Sequence, residues 1–261
     1  MTFSKGIPTK RPRIHMKVPP VWGTRKVGLL LLSGGLALFA MVSALNQTFW
    51  QPVPDDLPHR LLWVNLASAV GFGGAVGLQF RVMRKPSAML VAALYFLFSL
   101  SFLPRVLNFP QLIGAWLGFA EHLAITAGLL YLLISWTGNI AWRVAARLVY
   151  VPLAVVFGLA HLLSLPETAA MVPTWVPGSG QFWAVFTGLA HLAVAFGLLT
   201  PRFALMACRG GATMYLLFAI FVWVPNLTAT PLKAFDWSCL AISVALAGAL
   251  WTLGDLQRET A

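Results

Sequence analysis

Charge is what this sequence lacks most. Of 261 residues, 10% are Asp, Glu, Lys or Arg, and 59% are hydrophobic. A soluble domain carries about 25% charged residues, so this chain cannot cover a globule with a polar surface. Acidic groups are scarcest, seven against eighteen basic ones. So few carboxylates argue against a cation channel or a proton pump built on a chain of Asp residues. Only two cysteines occur, Cys208 and Cys239. They fall near opposite ends of successive apolar runs, and a disulfide needs Cα atoms within about 7 Å, so both read as packing residues. There is no CxxC and no Cys/His zinc spacing, and no metal site is expected. No glycine-rich nucleotide loop precedes a lysine, and no Ser-His-Asp motif stands out. No stretch could fold as a soluble flavin or dinucleotide domain. Catalysis by the chain alone is not expected, and no catalytic residue can be assigned.

What is there is apolar, with a mean hydropathy of +0.80. A polytopic membrane protein is the class that fits. Eight apolar runs approach the ~20 residues that cross a bilayer. They lie at about 27–45, 61–80, 87–104, 111–135, 145–165, 181–200, 203–225 and 237–254. Residues 1–26 precede them with seven basic residues and four prolines, and are expected to form a flexible cytoplasmic arm. The arm is long for a signal-peptide n-region, so an uncleaved first span is expected.

The basic residues test this count. With the N-terminus inside, fifteen of the eighteen fall on inner segments, and only Arg60, Arg105 and Lys233 on outer ones. That asymmetry is the positive-inside rule. It predicts an inner-membrane protein with both termini cytoplasmic. It also explains the net charge of +11 by orientation and contact with anionic lipid, with no need for nucleic acid.

An internal repeat is visible at an offset of 120 residues. Trp63 matches Trp183, Ala75 matches Ala195, and Gly77-Leu78 matches Gly197-Leu198. Ala92, Tyr95, Leu97 and Phe98 match Ala212, Tyr215, Leu217 and Phe218, and Trp116 matches Trp237 after a one-residue slip. The expected fold is all-α, a transmembrane bundle of about eight spans in two four-helix halves, 27–135 and 145–254. Four spans per half makes the repeat parallel. A competing match sets AEHLAITAGLL at 120–130 against LAHLAVAFGLL at 189–199.

The segments FGLAHLLSLPE at 157–167, PTWVPGSGQFWAVFTGLAHLAVAFGLLTPR at 173–202 and DWSCLAISVALAGALW at 236–251 resemble the DoxX-like family of bacterial membrane proteins. The likeness covers about 145–254, and the N-terminal half would be a diverged copy. Many members carry Glu near the position held here by His191, so no carboxylate role carries over. The resemblance implies a four-helix unit associated with membrane oxidoreductase complexes, and hence a soluble oxidoreductase subunit as partner.

Ionisable groups inside a span are costly and mostly face the bundle interior. Four qualify: Glu121, His122, His161 and His191. The pentapeptide Gly-Leu-Ala-His-Leu occurs twice, at 158–162 and 188–192, and carries two of the imidazoles. From the span limits, His122 and His191 should pair near mid-membrane, with His161 displaced outward by about 10 Å. Such a pair could ligate a haem or metal, or bond a quinone headgroup. Haem is disfavoured, because His161 is too displaced to share an iron with His191. Glu121 and His122 point ~100° apart and cannot both face one small ligand. The bland alternative is that each imidazole packs and bonds a neighbouring helix.

Three further features read as packing or anchoring. The loop 166–180 bears Trp175 and precedes Trp183, which suits interfacial anchoring, or a lid over a cavity between the fifth and sixth spans. Gly73 and Gly77 form a GxxxG, suited to packing inside the chain or to a homodimer face. Asn65 is expected to bond across helices. The leading expectation is a membrane subunit tied to quinone or redox metabolism, whose cavity His122, His161 and His191 line. The alternative is a non-catalytic scaffold or small-solute carrier.

Overall fold

A computed structural model describes residues 22–135 and 139–258. The expected arm therefore lies outside the described residues except for its last five, which open the first helix. All regular structure in the described residues is helical. The order is α1 (Trp22–Asn46), α2 (Arg60–Gly77), α3 (Arg84–Ser101), α4 (Leu103–Asn108), α5 (Ile113–Ile134), α6 (Ile140–Leu163), α7 (Leu165–Met171), α8 (Gly180–Leu199) and α9 (Pro201–Phe218). A π-helical turn (Ala219–Trp223), α10 (Val224–Ala229) and α11 (Ala234–Arg258) complete it.

Helix starts follow from local chemistry. Pro104, Pro166, Pro201 and Pro225 sit in the first turn of α4, α7, α9 and α10, where a missing N–H removes nothing. Asn139 and Ser179 cap α6 and α8, accepting from the Ala141 and Phe182 amides at 2.9 and 3.1 Å. The π-helical turn lies immediately before the helix that Pro225 opens.

Among the described residues seven helices are long and apolar enough to cross a membrane. One of these spans, Arg84–Asn108, joins α3 to α4, and another, Pro201–Ala229, runs from α9 through α10. The second expected span, 61–80, forms as α2 where the sequence places it but is not among the seven. Its 18 residues rise about 27 Å, short of a ~30 Å hydrocarbon core, and Arg60, Asn65 and four glycines dilute its apolar content. Asn65 corrects its expectation: it lies on the exposed face and forms no hydrogen bond across helices. Within the GxxxG, Gly77 packs on Ser87 of α3, while Gly73 faces open space.

The long helices form a closed ring. Neighbours run α1–α2–α3–α5–α6–α8–α9–α11, and α11 returns to α1 in the most extensive pairing of all. α5 and α11 also pack across the middle, dividing the ring into two lobes. One is enclosed by α1, α2, α3, α5 and α11, the other by α5, α6, α8, α9 and α11. The outside carries exposed Leu62, Leu66, Phe72, Leu189, Phe196 and Met206, an apolar surface for which lipid is the solvent.

One device recurs at the same end of the bundle. Trp116, Trp183 and Trp237, in the first turns of α5, α8 and α11, each donate their indole N–H to the carbonyl of the proline six residues earlier, Pro110, Pro177 and Pro231, at 2.9, 2.7 and 2.9 Å. Arg60 closes the same six-residue span onto Pro54 at 3.1 Å. Each bond fixes how the loop enters its helix and holds an amphipathic ring at the interface. Trp183→Phe should keep the ring contact and lose the bond. We expect a loss of about 0.5–1.5 kcal/mol, read by thermal melting in detergent, with faster proteolysis of the loop before α8.

Candidate functional site

The two Gly-Leu-Ala-His-Leu pentapeptides meet. α6 and α8 cross where Gly158 and Gly188 remove side chains from the interface. A Cβ on Gly158 would lie 2.7 Å from Leu192 Cδ2 and 3.0 Å from the Gly188 carbonyl; one on Gly188 would lie 2.9 Å from Leu162 Cδ2 and 3.2 Å from the Gly158 carbonyl. Each glycine makes the hole, and the leucine four positions later fills the hole of the other copy. The contact is self-complementary, as at a two-fold interface. The same symmetry sets His161 against His191, with ring centroids 5.0 Å apart.

This corrects the expected pairing. His191 stands with His161, and His122 lies in the other lobe. The expectation failed because it gave every apolar run the same depth. α7 continues outward beyond α6 and packs along α8, with Gly180 pressed against Ala169. α8 therefore begins well outside the point where α6 ends, and its residue 191 descends to the level of residue 161.

The two sites differ in how their imidazoles are satisfied. His122 Nδ1 lies 2.9 Å from the Gly118 carbonyl, and its Nε2 2.9 Å from Gln51 Nε2. A carbonyl only accepts, so Nδ1 carries the proton. A neutral ring then accepts at Nε2 from the Gln51 amide. Phe39, Tyr95, Phe98 and Phe102 surround it, with centroids 5.3–6.2 Å away. Every polar atom of this ring is used.

His191 is the opposite case. It is 2% exposed, and its Nε2 has no hydrogen-bond partner. Its ring neighbours are His161, Tyr215 at 5.4 Å, Phe157 at 5.6 Å and Phe218 at 6.3 Å. His161 is half-buried and donates Nδ1–H to the Phe157 carbonyl at 2.9 Å. That bond leaves the Nε2 lone pair of His161 for other partners. Two nearby imidazoles with nitrogens to spare, walled by aromatic rings, make a polar spot in an apolar cage.

Glu121, beside His122 on α5, is half-buried and forms no ion pair. Cys208 is buried and Cys239 half-buried, both as free thiols. Among the described residues no three His, Cys, Asp or Glu side chains come together.

Sequence reasoning missed Tyr215, Phe157 and Phe218, the walls of the cage, and Gln51, which reaches His122 from a loop. Tyr215 and Phe218 had surfaced only as repeat matches to Tyr95 and Phe98, which line the other cage. The loop 166–180 sends Trp175 onto Phe221 of the π-helical turn, centroids 5.7 Å apart.

A family model described as a domain of unknown function (DUF8561) matches residues 150–234. The match spans most of α6 through α10, including both pentapeptides and the whole cage around His191. No curated protein and no solved structure matches the chain.

Proposed function

We propose that this chain is a DoxX-like subunit of the bacterial inner membrane, associated with quinone and redox metabolism, and that His161 and His191 receive the quinone headgroup. Both termini are cytoplasmic in this reading, and the two halves are an internal repeat. The packing order supports the repeat, since α1–α2–α3–α5 neighbour one another as α6–α8–α9–α11 do. One observation carries the functional reading: His191 is buried within the bundle with a ring nitrogen unpartnered. Buried polar atoms are normally bonded, and an exception calls for a ligand, an ion or water. A neutral imidazole offers one N–H and one lone pair. It can donate to a quinone carbonyl and accept from a quinol hydroxyl. The aromatic walls Phe157, Tyr215 and Phe218 suit a flat ring.

Detergent-purified protein should be colourless and yield near-stoichiometric quinone on solvent extraction. His191→Gln should lower that yield about tenfold, the loss of roughly 1.4 kcal/mol of binding. A Soret band, a preparation free of quinone, or an unchanged yield in the variant would sink the reading. The scaffold or small-solute carrier alternative draws support from His122, whose nitrogens are all bonded within the protein as in a purely packing residue.

A further inference from the structure

Charged side chains inside membrane spans pair with one another or line polar cavities. Arg147, two turns into α6, has no such partner. It is 7% exposed, its Nε–H makes no hydrogen bond, and its guanidinium joins no ion pair.

Gln257 Nε2 of α11 donates to the Arg143 carbonyl at 3.3 Å, which sets the start of α6 against the end of α11, and Cys208 and Arg209 of α9 pack on Gly254 there. Arg209 and Asp255 answer each other: Arg209 Nη2 bonds Asp255 Oδ1, Nη1 donates to the Trp251 carbonyl at 3.0 Å, and the guanidinium lies 4.1 Å from the Trp251 ring. Arg209 is thus answered by Asp255, and Arg147 is left without a counter-ion. Tyr150 stands one turn along α6 on the face of Arg147. Its hydroxyl neighbours that of Tyr215, and neither makes a hydrogen bond of good geometry. On this face of α6, Arg147 Nε–H and the Tyr150 hydroxyl are both buried without a hydrogen-bond partner.

We propose that Arg147 and Tyr150 bind one monovalent anion at the end of the bundle opposite the tryptophan-capped helix starts. Arg147 carries one unanswered charge, and one singly charged anion neutralises it. The same positive charge repels protons, which rules against reading Tyr215 and Tyr150 as a proton path. An uncompensated buried charge is strongly destabilising, and an anion removes that term. The group is a small free anion or the phosphodiester of an anionic lipid. The site is separate from the imidazole pair and does not depend on quinone binding.

The test takes delipidated protein in neutral detergent and gluconate buffer, titrates bromide, and follows the melting temperature. Native mass spectra before delipidation count bound phospholipid. Wild type should show a saturable rise in melting temperature, which assigns a free anion, or one retained phospholipid per chain, which assigns the headgroup. Arg147→Gln should weaken either signal about tenfold or more, Tyr150→Phe should weaken it while keeping the aromatic packing, and Arg147→Lys should retain part of it. If Arg147→Gln does not fold, Tyr150→Phe decides alone. Neither signal in wild type, or an undiminished signal in the variants that fold, overturns the proposal. Quinone content should not change in Tyr150→Phe, which keeps this result apart from the quinone reading.

Discussion

Gly158→Val is expected to drive α6 and α8 apart and to destabilise the protein by about 3 kcal/mol or more, at the upper end of overpacking effects. Even the first added carbon would lie 2.7 Å from Leu192 Cδ2 and 3.0 Å from the Gly188 carbonyl. A leucine tip can swing away; a backbone carbonyl in a helix cannot. Gly158→Ala should therefore be milder, about 1–3 kcal/mol. Leu192→Ala in that background should recover part of the loss, because it clears the movable obstacle and leaves the fixed one. A double-mutant cycle on thermal or denaturant unfolding in detergent measures that coupling. Strictly additive losses would show that the two pentapeptides do not interlock. The imidazole pair reports the same crossing, and quinone retention should fall in step with stability.

His122 and His191 should respond in opposite ways to leucine. His122→Leu removes the acceptor of the buried Gln51 amide, 2.9 Å away, and leaves that donor unsatisfied. The expected destabilisation is about 1–3 kcal/mol, read by melting temperature. His191→Leu breaks no hydrogen bond and replaces a buried polar ring in an apolar cage. It should leave stability within about 1 kcal/mol of wild type, or raise it, while quinone retention is lost. Sites kept for binding often carry local instability of this kind. Equal destabilisation by both changes would mean that His191 is bonded after all and would remove the argument for a ligand.

The helices were legible because membrane spans announce themselves by length and apolar content, and every expected span has its helix. Relative depth was not legible. A hydrophobic run marks where a chain can sit in lipid, not where a partner helix begins, and α7 shifted α8 by several turns against α6. The repeated pentapeptide was visible, but its meaning needed the crossing: a self-complementary contact requires the same glycine, histidine and leucine on both sides. The proline-to-tryptophan spacing of six occurs three times in plain sight, at 110–116, 177–183 and 231–237. It was overlooked because a hydrogen bond between a side chain and a loop carbonyl has no periodicity to betray it. Gln51 gave no signal at all, since only the folded loop brings it to His122.

The closing of the ring by α11 against α1 sets a problem of timing during synthesis. The first helix leaves the ribosome about 190 residues before its principal neighbour, an interval of roughly 10–40 s at about 5–20 residues per second. Through that interval the stripe of Leu32, Gly35 and Leu36, later closed by α11 at Ala245 and Gly248, faces lipid or the insertion machinery. The lobe around His122 also lacks one wall until the last helix arrives, so both lobes are completed by the same late event. A ribosome stalled before residue 234 would leave two unfinished half-structures rather than one finished half.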